Sequence, residues 1–164
     1  MGHSGRNGAP RRLVGRMLRV RCQARASLDA KGRLALPAVL RRAFGEHGVE
    51  SIVLTFHKGA IWGWTTADFE SSVEAPLAAA DPFNEEVMDF VHSILAPAQD
   101  VEVDRQGRVR VPQLLRDLAG LDKEVVVSSV LNRIEIWDRE TWESRFRQSL
   151  DRSSGRSGMP SGGR

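Results

Sequence analysis

Cysteine is nearly absent from this chain of 164 residues, since Cys22 is the only one. A single cysteine excludes an internal disulfide framework and any metal site built from several thiolates, and it is typical of a reducing compartment. The four histidines show no helical pair and no acidic companion at metal-ligand spacing. The sequence therefore predicts neither a metal ion nor a cofactor.

Long apolar runs are missing as well. No stretch approaches the roughly 18 apolar residues that a transmembrane helix requires. Residues 1–16 are rich in Gly and Arg and contain no hydrophobic segment typical of a secretory signal. We therefore expect no membrane span and a cytosolic protein.

Catalytic motifs are also absent. The chain has no Gly-x-Ser-x-Gly, phosphate loop, His-Glu-x-x-His or dinucleotide-binding glycine pattern. Since no residues are nominated for chemistry, we expect neither an enzyme nor a small-molecule substrate.

The net charge is only +3, but the charges are unevenly distributed. Residues 1–42 carry eleven basic residues and one acid, and residues 43–104 carry one basic residue and twelve acids. Residues 105–164 carry twelve basic residues and eight acids. The basic beginning favours binding to a polyanion such as nucleic acid, whereas the acidic middle would repel one.

What the chain does contain is a tandem repeat. Segment 28–37 returns as 103–112 with its Asp, Gly, Arg and Pro unchanged, and the similarity continues to Glu70 in the first copy and Glu143 in the second. The copies are too few for a solenoid of stacked units. A unit of about 45 residues is too small to bury a core alone, so we expect each copy to pack against the other or against another subunit.

Hydrophobic spacing and turn residues predict a similar series of elements in both copies. The predicted strands and helices lie at 20–27, 34–36, 38–44, 52–56, 60–64, 66–73, 82–95, 109–111, 113–119, 125–129 and 133–137. Gly45 and Gly120 are expected to end the two short helices. The polar segments 1–16 and 152–164 are expected to be disordered tails.

Each repeat contains a tight turn with an Asp at its head and a Gly near its end. Gly32 and Gly107 stand where such a turn needs a positive φ, which glycine adopts without steric penalty. Asp29 and Asp104 can accept hydrogen bonds from the N–H groups of their own turns, so we interpret all four residues as structural. An acid/base pair of the two aspartates is disfavoured, because an adjacent arginine keeps each carboxylate ionised.

Arg33 in the first turn has two interpretations. It either pairs with its own Asp and braces the turn, or points from the tip toward a phosphate or a guanine edge. Lys31 stands beside it, Arg25 precedes it, and Arg41 and Arg42 follow on the short helix. These cations make the first turn the better candidate for DNA binding.

The second turn offers the same choice with weaker support. It carries Arg105, Arg108 and Arg110, but Gln106 replaces the lysine and three acids lie at 100, 102 and 104. Arg108 is the counterpart of the first-turn arginine. We expect the DNA contact of this turn to be weaker or purely structural.

Large apolar residues at matching places predict core. Trp64 and Trp137 match, as do Phe69 and Trp142, whereas Trp62 has no aromatic counterpart and is the one expected to be exposed. The connector between the copies has an apolar stripe at 87, 90, 91 and 94, which either packs into the core or faces a neighbouring subunit.

The paired Asp-x-x-Gly-Arg turns, each followed by a strand, a proline and a short helix, resemble the MraZ family. The resemblance extends over about Gln23 to Glu143 and includes the closing segment 132–138, Asn-Arg-Ile-Glu-Ile-Trp-Asp. It implies a β-rich α+β fold in which two tandem AbrB/SpoVT-like swapped-hairpin repeats form a double-psi-like β-barrel with short helices. It also implies a ring-shaped homo-oligomer.

The function implied by the resemblance is transcriptional regulation of the division and cell-wall gene cluster. Such a regulator binds double-stranded DNA at short direct repeats in the promoter of its own operon, which implies a cytoplasmic, nucleoid-associated protein. The family's functional arginine falls on Arg33, with Lys31 beside it and Arg108 as its second-copy equivalent. The chain departs from the family in its Arg-rich start and in its Ser/Gly-rich tail after Leu150.

We predict five segments: a basic extension at 1–22, a first repeat at 23–70, a helical connector at 71–97, a second repeat at 98–143, and a helix end with a disordered tail at 144–164. The alternative interpretation is a protein-interaction module, such as an antitoxin-like or scaffold protein. It would use the same fold to bind a partner protein through the acidic middle of the chain.

Overall fold

A computed structural model describes residues 20–155. The predicted tail at 1–16 and residues 156–164 of the predicted tail at 152–164 lie outside this range. The elements of the first repeat are β1 (Gln23–Ser27), β2 (Arg33–Ala35), α1 (Ala38–Glu46), β3 (Ser51–His57) and β4 (Ala60–Thr65). The connector contains α2 (Thr66–Phe69), a π-helical turn (Glu70–Glu74), α3 (Ala75–Ala78) and α4 (Glu85–Leu95). The second repeat contains β5 (Gln99–Glu102), β6 (Arg108–Arg110), α5 (Gln113–Leu118), β7 (Glu124–Val130), β8 (Arg133–Asp138) and α6 (Arg139–Ser154).

The ends of the helices follow local chemistry. Thr65, Asn84 and Asp138 precede α2, α4 and α6, and each side chain accepts a hydrogen bond from a first-turn N–H group. Gly120 follows α5 with a φ of 60° and ends it as predicted. The corresponding prediction for Gly45 is wrong, because α1 runs through it to Glu46.

The two repeats exchange their first strands. β1 of the first repeat pairs antiparallel with β7 of the second, and β5 of the second repeat pairs antiparallel with β3 of the first. β4 and β8 join the halves into one six-stranded sheet with the order β1-β7-β8-β4-β3-β5. The remaining strands, β2 and β6, pair with each other in a separate two-stranded sheet. Each repeat is therefore completed by the other, as a swapped hairpin requires.

The core confirms that neither repeat buries its apolar residues alone. One cluster joins buried residues of both repeats; from the first repeat it takes Leu28, Leu34, Leu36, Leu40, Phe44, Ile52, Leu54 and Ile61, and from the second Val101, Val109, Val111, Leu115, Ala119, Val125, Val127, Ile134 and Ile136. A smaller cluster holds Val53, Trp64 and Phe69. Burial of apolar surface on this scale is the main term that favours folding.

Three expectations are corrected. The sheets are not closed into a barrel within residues 20–155, because β1 and β5 are the unpaired edges of the six-stranded sheet. The helix α6 continues to Ser154 and so occupies the beginning of the predicted tail at 152–164. Trp142 is only half-buried and stacks on Phe146, since it lies on the outer helix α6.

The sheet also determines where Trp62 lies. It is half-buried, with the guanidinium of Arg133 3.7 Å from its ring centroid and His57 against its edge. A cation over an indole face is a favourable contact, which explains why this tryptophan is less exposed than expected. In the part of the chain that the structure describes, no helix is long and apolar enough to cross a membrane.

Candidate nucleic-acid interface

The first turn, defined as residues 29–33, is held together by one carboxylate. Asp29 Oδ1 accepts hydrogen bonds from the N–H groups of Lys31 (2.9 Å) and Arg33 (2.8 Å), and Asp29 Oδ2 accepts one from Arg33 Nε (2.6 Å). The N–H group of Gly32 donates to the Asp29 carbonyl, and Gly32 has a φ of 77°. A side-chain acceptor at the head of a turn and glycine at its left-handed position are mutually consistent.

The second turn, residues 104–108, repeats this geometry. Asp104 Oδ1 accepts hydrogen bonds from the N–H groups of Gln106 and Arg108, both at 2.9 Å, and Asp104 Oδ2 accepts one from Arg108 Nε at 2.9 Å. Gly107 has a φ of 73°. Two turns with equal geometry and different flanking charges form a natural pair for comparison.

The hydrogen bonds keep both aspartates ionised. The backbone N–H group of Arg33 is the main cause that holds the pKa of Asp29 below its ordinary value, and its guanidinium and the N–H group of Lys31 act in the same direction. The pKa of Asp104 is lowered in the same way, chiefly by the backbone N–H group of Arg108. A carboxylate with a lowered pKa is a poor proton donor, so the geometry suits fastening rather than acid catalysis.

The bond to Asp29 occupies only part of the Arg33 guanidinium. Of the Arg33 guanidinium, only Nε bonds to Asp29, and the side chain remains 40% exposed. The opposite edge, with its two terminal nitrogens, is the part that forms bidentate contacts with phosphate or guanine. The two interpretations of this arginine are therefore compatible, because the aspartate orients the group that would contact DNA.

The two-stranded sheet brings further arginines beside the turns. Leu34 and Val109 face each other on its buried side. On its outer side Arg33 lies directly opposite Arg110, whereas Arg108 lies opposite Ala35. Directly opposite residues of an antiparallel pair have Cβ atoms only about 5 Å apart. The outer face of β2 and β6, which we call the arginine face, thus holds Arg33, Arg108 and Arg110.

The short helices also cross between the repeats. A Cβ added at Gly32 would lie 2.7 Å from Cζ of Arg116 on α5, and one added at Gly107 would lie 2.3 Å from Cγ and Cδ of Arg41 on α1. Each helix arginine therefore packs on the glycine of the other repeat's turn. We expected Arg41 to add charge to the first turn, and this is wrong, because the strand exchange places it over the second.

The remaining site candidates lie apart from the first turn. Arg25 is exposed on β1, and its Nη2 atom is 3.9 Å from Glu143 on α6. Arg105 lines an open groove of about 1200 Å³ that also contains Arg41, Arg42 and acids at 50, 102 and 104. Basic and acidic side chains are therefore mixed along this groove.

Arg110 and Arg116 are residues that the sequence did not assign to the first turn. An alignment of the two repeats could have drawn attention to Arg110, because the first copy has Ala35 at the corresponding position. No comparable signal identifies Arg116, because its contact depends on the exchange of strands. Among residues 20–155, no group of three His, Cys, Asp or Glu side chains is placed to hold a metal ion.

Comparisons with known proteins identify a family over most of the chain. The family model described as "MraZ protein, putative antitoxin-like" matches twice, at residues 23–87 and 94–157. A protein of Lachnoclostridium phytofermentans named transcriptional regulator MraZ is 38% identical over 76% of this chain and 84% of its own. Proteins with the same name from Acetivibrio thermocellus and Maridesulfovibrio salexigens are 39% and 33% identical, over 72% and 82% of this chain and 80% and 90% of theirs.

Proposed function

The chain belongs to the MraZ family, and we propose on that basis that it is a transcriptional regulator that binds double-stranded DNA. The observation that carries this proposal is the orientation of Arg33. Its Nε is bonded to Asp29 while its terminal nitrogens remain available at an exposed turn. An arginine that is already oriented loses less side-chain entropy when it binds.

The finer proposal concerns how the sequence is read. Arg33 and Lys31 of the first turn contact the DNA, with Arg25 adding charge and with Arg105 and Arg108 making a weaker second contact. Since one turn offers few base contacts, affinity arises from several subunits that bind repeated motifs together. The target that the family resemblance favours is the promoter of the protein's own division and cell-wall operon.

We further propose that the protein is a homo-oligomer, with a ring as the arrangement implied by its family. Support comes from apolar side chains that the described part of the chain leaves half or almost fully exposed. Phe83 is 91% exposed, Phe90 on α4 is 46% exposed, and Leu114 and Leu118 on α5 are about half exposed. Exposed apolar patches of this kind commonly mark protein–protein contacts.

The proposal places the protein in the cytoplasm at the nucleoid and assigns it no catalysis and no cofactor. It keeps the five predicted segments, in which the repeats at 23–70 and 98–143 carry the turns. Under this division the connector at 71–97 contains Phe83 and Phe90, so it is the segment that we assign to contacts between subunits.

A second candidate function is a protein-interaction module. The description of the matched family as antitoxin-like favours it, as do the acids and exposed phenylalanines of the connector. A partner with a basic surface and an apolar groove would fit such a segment. This candidate predicts binding to that protein and no preference among DNA sequences.

The two functions are separated by binding isotherms of the wild-type protein on two labelled duplexes of equal length. One comes from upstream of the protein's own gene, and the other has the same bases in scrambled order. We expect tighter binding to the upstream duplex and a steep loss of affinity with salt, about one logarithmic unit of slope for each phosphate neutralised. Equal and weak binding to both duplexes would favour the interaction module.

A further inference from the structure

The pair formed by Arg33 and Arg110 is electrostatically unfavourable in the free protein. The two residues are direct partners in the antiparallel register of β2 and β6 and lie on the outer side of that sheet. Like charges directly opposite each other destabilise a strand pair. In the other half of the sheet, the counterpart of Arg110 is Ala35, which lies opposite Arg108. The fold itself therefore does not require an arginine at position 110.

The charge of Arg110 is also left unneutralised. Each of the turn arginines has its own aspartate, Asp29 for Arg33 and Asp104 for Arg108. Across residues 20–155, by contrast, no carboxylate lies within ion-pair distance of Arg110, and its side chain is exposed. One carboxylate thus faces two guanidinium groups at the first turn, which leaves an excess of positive charge.

A third guanidinium borders the same turn. The guanidinium of Arg116 lies against Gly32, and its Nε is shielded from solvent and makes no hydrogen bond within the described residues. Both Arg110 and Arg116 come from the second repeat, whereas Arg33 comes from the first. The cations around the first turn are therefore brought together by the pairing of β2 with β6 and by the packing of α5 on the first turn.

We propose that Arg110 completes the DNA contact of the first turn by binding a backbone phosphate together with Arg33. A phosphate between two guanidinium groups turns the repulsion of the free protein into two charge-assisted interactions. This inference rests on the proposed function, and it makes the first DNA site a composite of both repeats. Ala35 leaves the second turn without the equivalent pair, which accounts for a stronger first site.

The test compares Arg110→Gln with Arg152→Gln, which removes the same charge from an exposed position near the end of α6. Anisotropy titrations of the full chain use the upstream and scrambled duplexes over a series of salt concentrations. For Arg110→Gln we expect binding at low salt to weaken about tenfold for each bound subunit, equally on both duplexes, because a phosphate contact carries no sequence information. The slope of log K against log salt should fall by about 0.9 for each bound subunit.

A second measurement separates binding from stability. Without DNA, the thermal midpoint of Arg110→Gln should equal or exceed that of the wild type, because the repulsion with Arg33 is removed. Arg110→Lys should retain the salt slope but bind more weakly than the wild type, since lysine keeps the charge and lacks the planar fork. Arg152→Gln should leave affinity and slope unchanged.

Failure of this inference can be distinguished from failure of the proposed function. A folded Arg110→Gln protein with the affinity and slope of the wild type would overturn the phosphate contact, even if Arg33→Ala abolished selective binding. Loss of selectivity in Arg110→Gln would also overturn it, since Arg110 would then read a base. A wild type that does not distinguish the two duplexes would refute the proposed regulator, while the slopes would still report on Arg110.

Discussion

At the scale of single residues, Asp29 has two consequences for the first turn. It accepts two backbone N–H groups and so closes the turn, and it holds Arg33 by Nε. The same bonds that stabilise the loop thus orient the guanidinium. Since one carboxylate closes the turn and holds Arg33, we expect a change at Asp29 to alter both the stability of the turn and the proposed DNA contact.

The first prediction follows from the pKa of Asp29, which is lowered mainly by the backbone N–H group of Arg33. A carboxylate with a depressed folded-state pKa stabilises the protein above its unfolded pKa of about 3.9, and this contribution is lost as the pH falls through the folded-state value. The Asp29→Asn variant should therefore be less stable than the wild type at neutral pH. In urea unfolding, the difference should shrink below about pH 4.

The control for this measurement is Asp89→Asn, which alters an exposed carboxylate on α4 outside the turns. Its stability should follow the wild type across the same pH series. A stability difference for Asp29→Asn that stays constant into acid would show that the charge of Asp29 does not fasten the turn.

The turn glycines give a second prediction, in which the two repeats should differ. Gly32→Ala and Gly107→Ala each force a side chain into a positive φ, at a cost of about 1–2 kcal/mol. The new Cβ at Gly32 meets the far end of the Arg116 side chain, whereas that at Gly107 meets the stem of Arg41 close to its backbone. Gly107→Ala should therefore reduce the free energy of unfolding more.

Chemical denaturation of both variants measures this, and Gly45→Ala is the control. Gly45 lies inside α1 with no atom within 4 Å of an added Cβ, so alanine there should stabilise the protein by about 0.5–1 kcal/mol. If Gly32→Ala lowered the free energy of unfolding more than Gly107→Ala, the contacts with Arg116 and Arg41 would not determine which variant is less stable.

At the scale of elements, local sequence predicted the strands and helices better than it predicted their partners. Alternating apolar residues and prolines place β2 and α1 within one or two residues, because these signals are local. The pairing of β1 with β7 and of β2 with β6 is set by the shared core, which joins residues far apart in sequence. For this reason the sequence could not predict that Arg110 and Arg116 lie beside the first turn.

The end of α6 illustrates another limit. Residues 144–154 are mostly polar, and they were assigned in part to a disordered tail on composition alone. In the structure they continue a helix that begins with the Asp138 cap, and Trp142 and Phe146 lie on that helix. Once a helix is nucleated, each further residue adds a hydrogen bond, so polar residues extend it without a buried face.

The third prediction concerns how α4 is attached to the sheet. The buried hydroxyl of Thr55 on β3 donates a hydrogen bond of 2.5 Å to the carbonyl of Ile94, in the last turn of α4. This carbonyl has no partner within the helix. Thr55→Val keeps the shape but leaves the carbonyl unpaired, which should cost about 1–3 kcal/mol.

Urea unfolding checks this value, and Thr55→Ser is the matched control because it retains the hydroxyl and loses only a methyl group. In Thr55→Val, amide hydrogen exchange in α4 should also be faster than in the wild type, and this increase should be larger than any increase in the sheet. Equal stability of the Val variant and the wild type would mean that the hydrogen bond does not anchor the helix.

At the scale of the whole molecule, the isolated chain leaves apolar surface uncovered. The stripe predicted on the connector is buried only at Ile94, while Phe90 is exposed and Phe83 just before α4 is almost fully so. Of the two interpretations of that stripe, the contact with a neighbouring subunit is thus the one that the proposal adopts.

The fourth prediction tests that assignment. Replacing Phe83 and Phe90 together with serine should lower the mass of the particle measured by light scattering, because the proposed contact loses its apolar anchors. The far-UV circular dichroism should remain that of the wild type, since both side chains lie outside the core. Leu131→Ser, at another exposed apolar position, is the control and should leave the mass unchanged. An unaltered mass for the double variant would place the subunit contact elsewhere.

The central claim, that the first turn reads DNA, is tested most directly by comparing two equivalent substitutions. Arg33→Ala and Arg108→Ala each remove a turn arginine bonded to its own aspartate, so both variants lose the same hydrogen bond within the turn. Anisotropy on the upstream and scrambled duplexes then measures selectivity, with particle mass recorded in parallel. We expect Arg33→Ala to abolish the preference for upstream DNA and Arg108→Ala to weaken it only partly. Equal preference in the Arg33→Ala protein and the wild type would contradict the central claim.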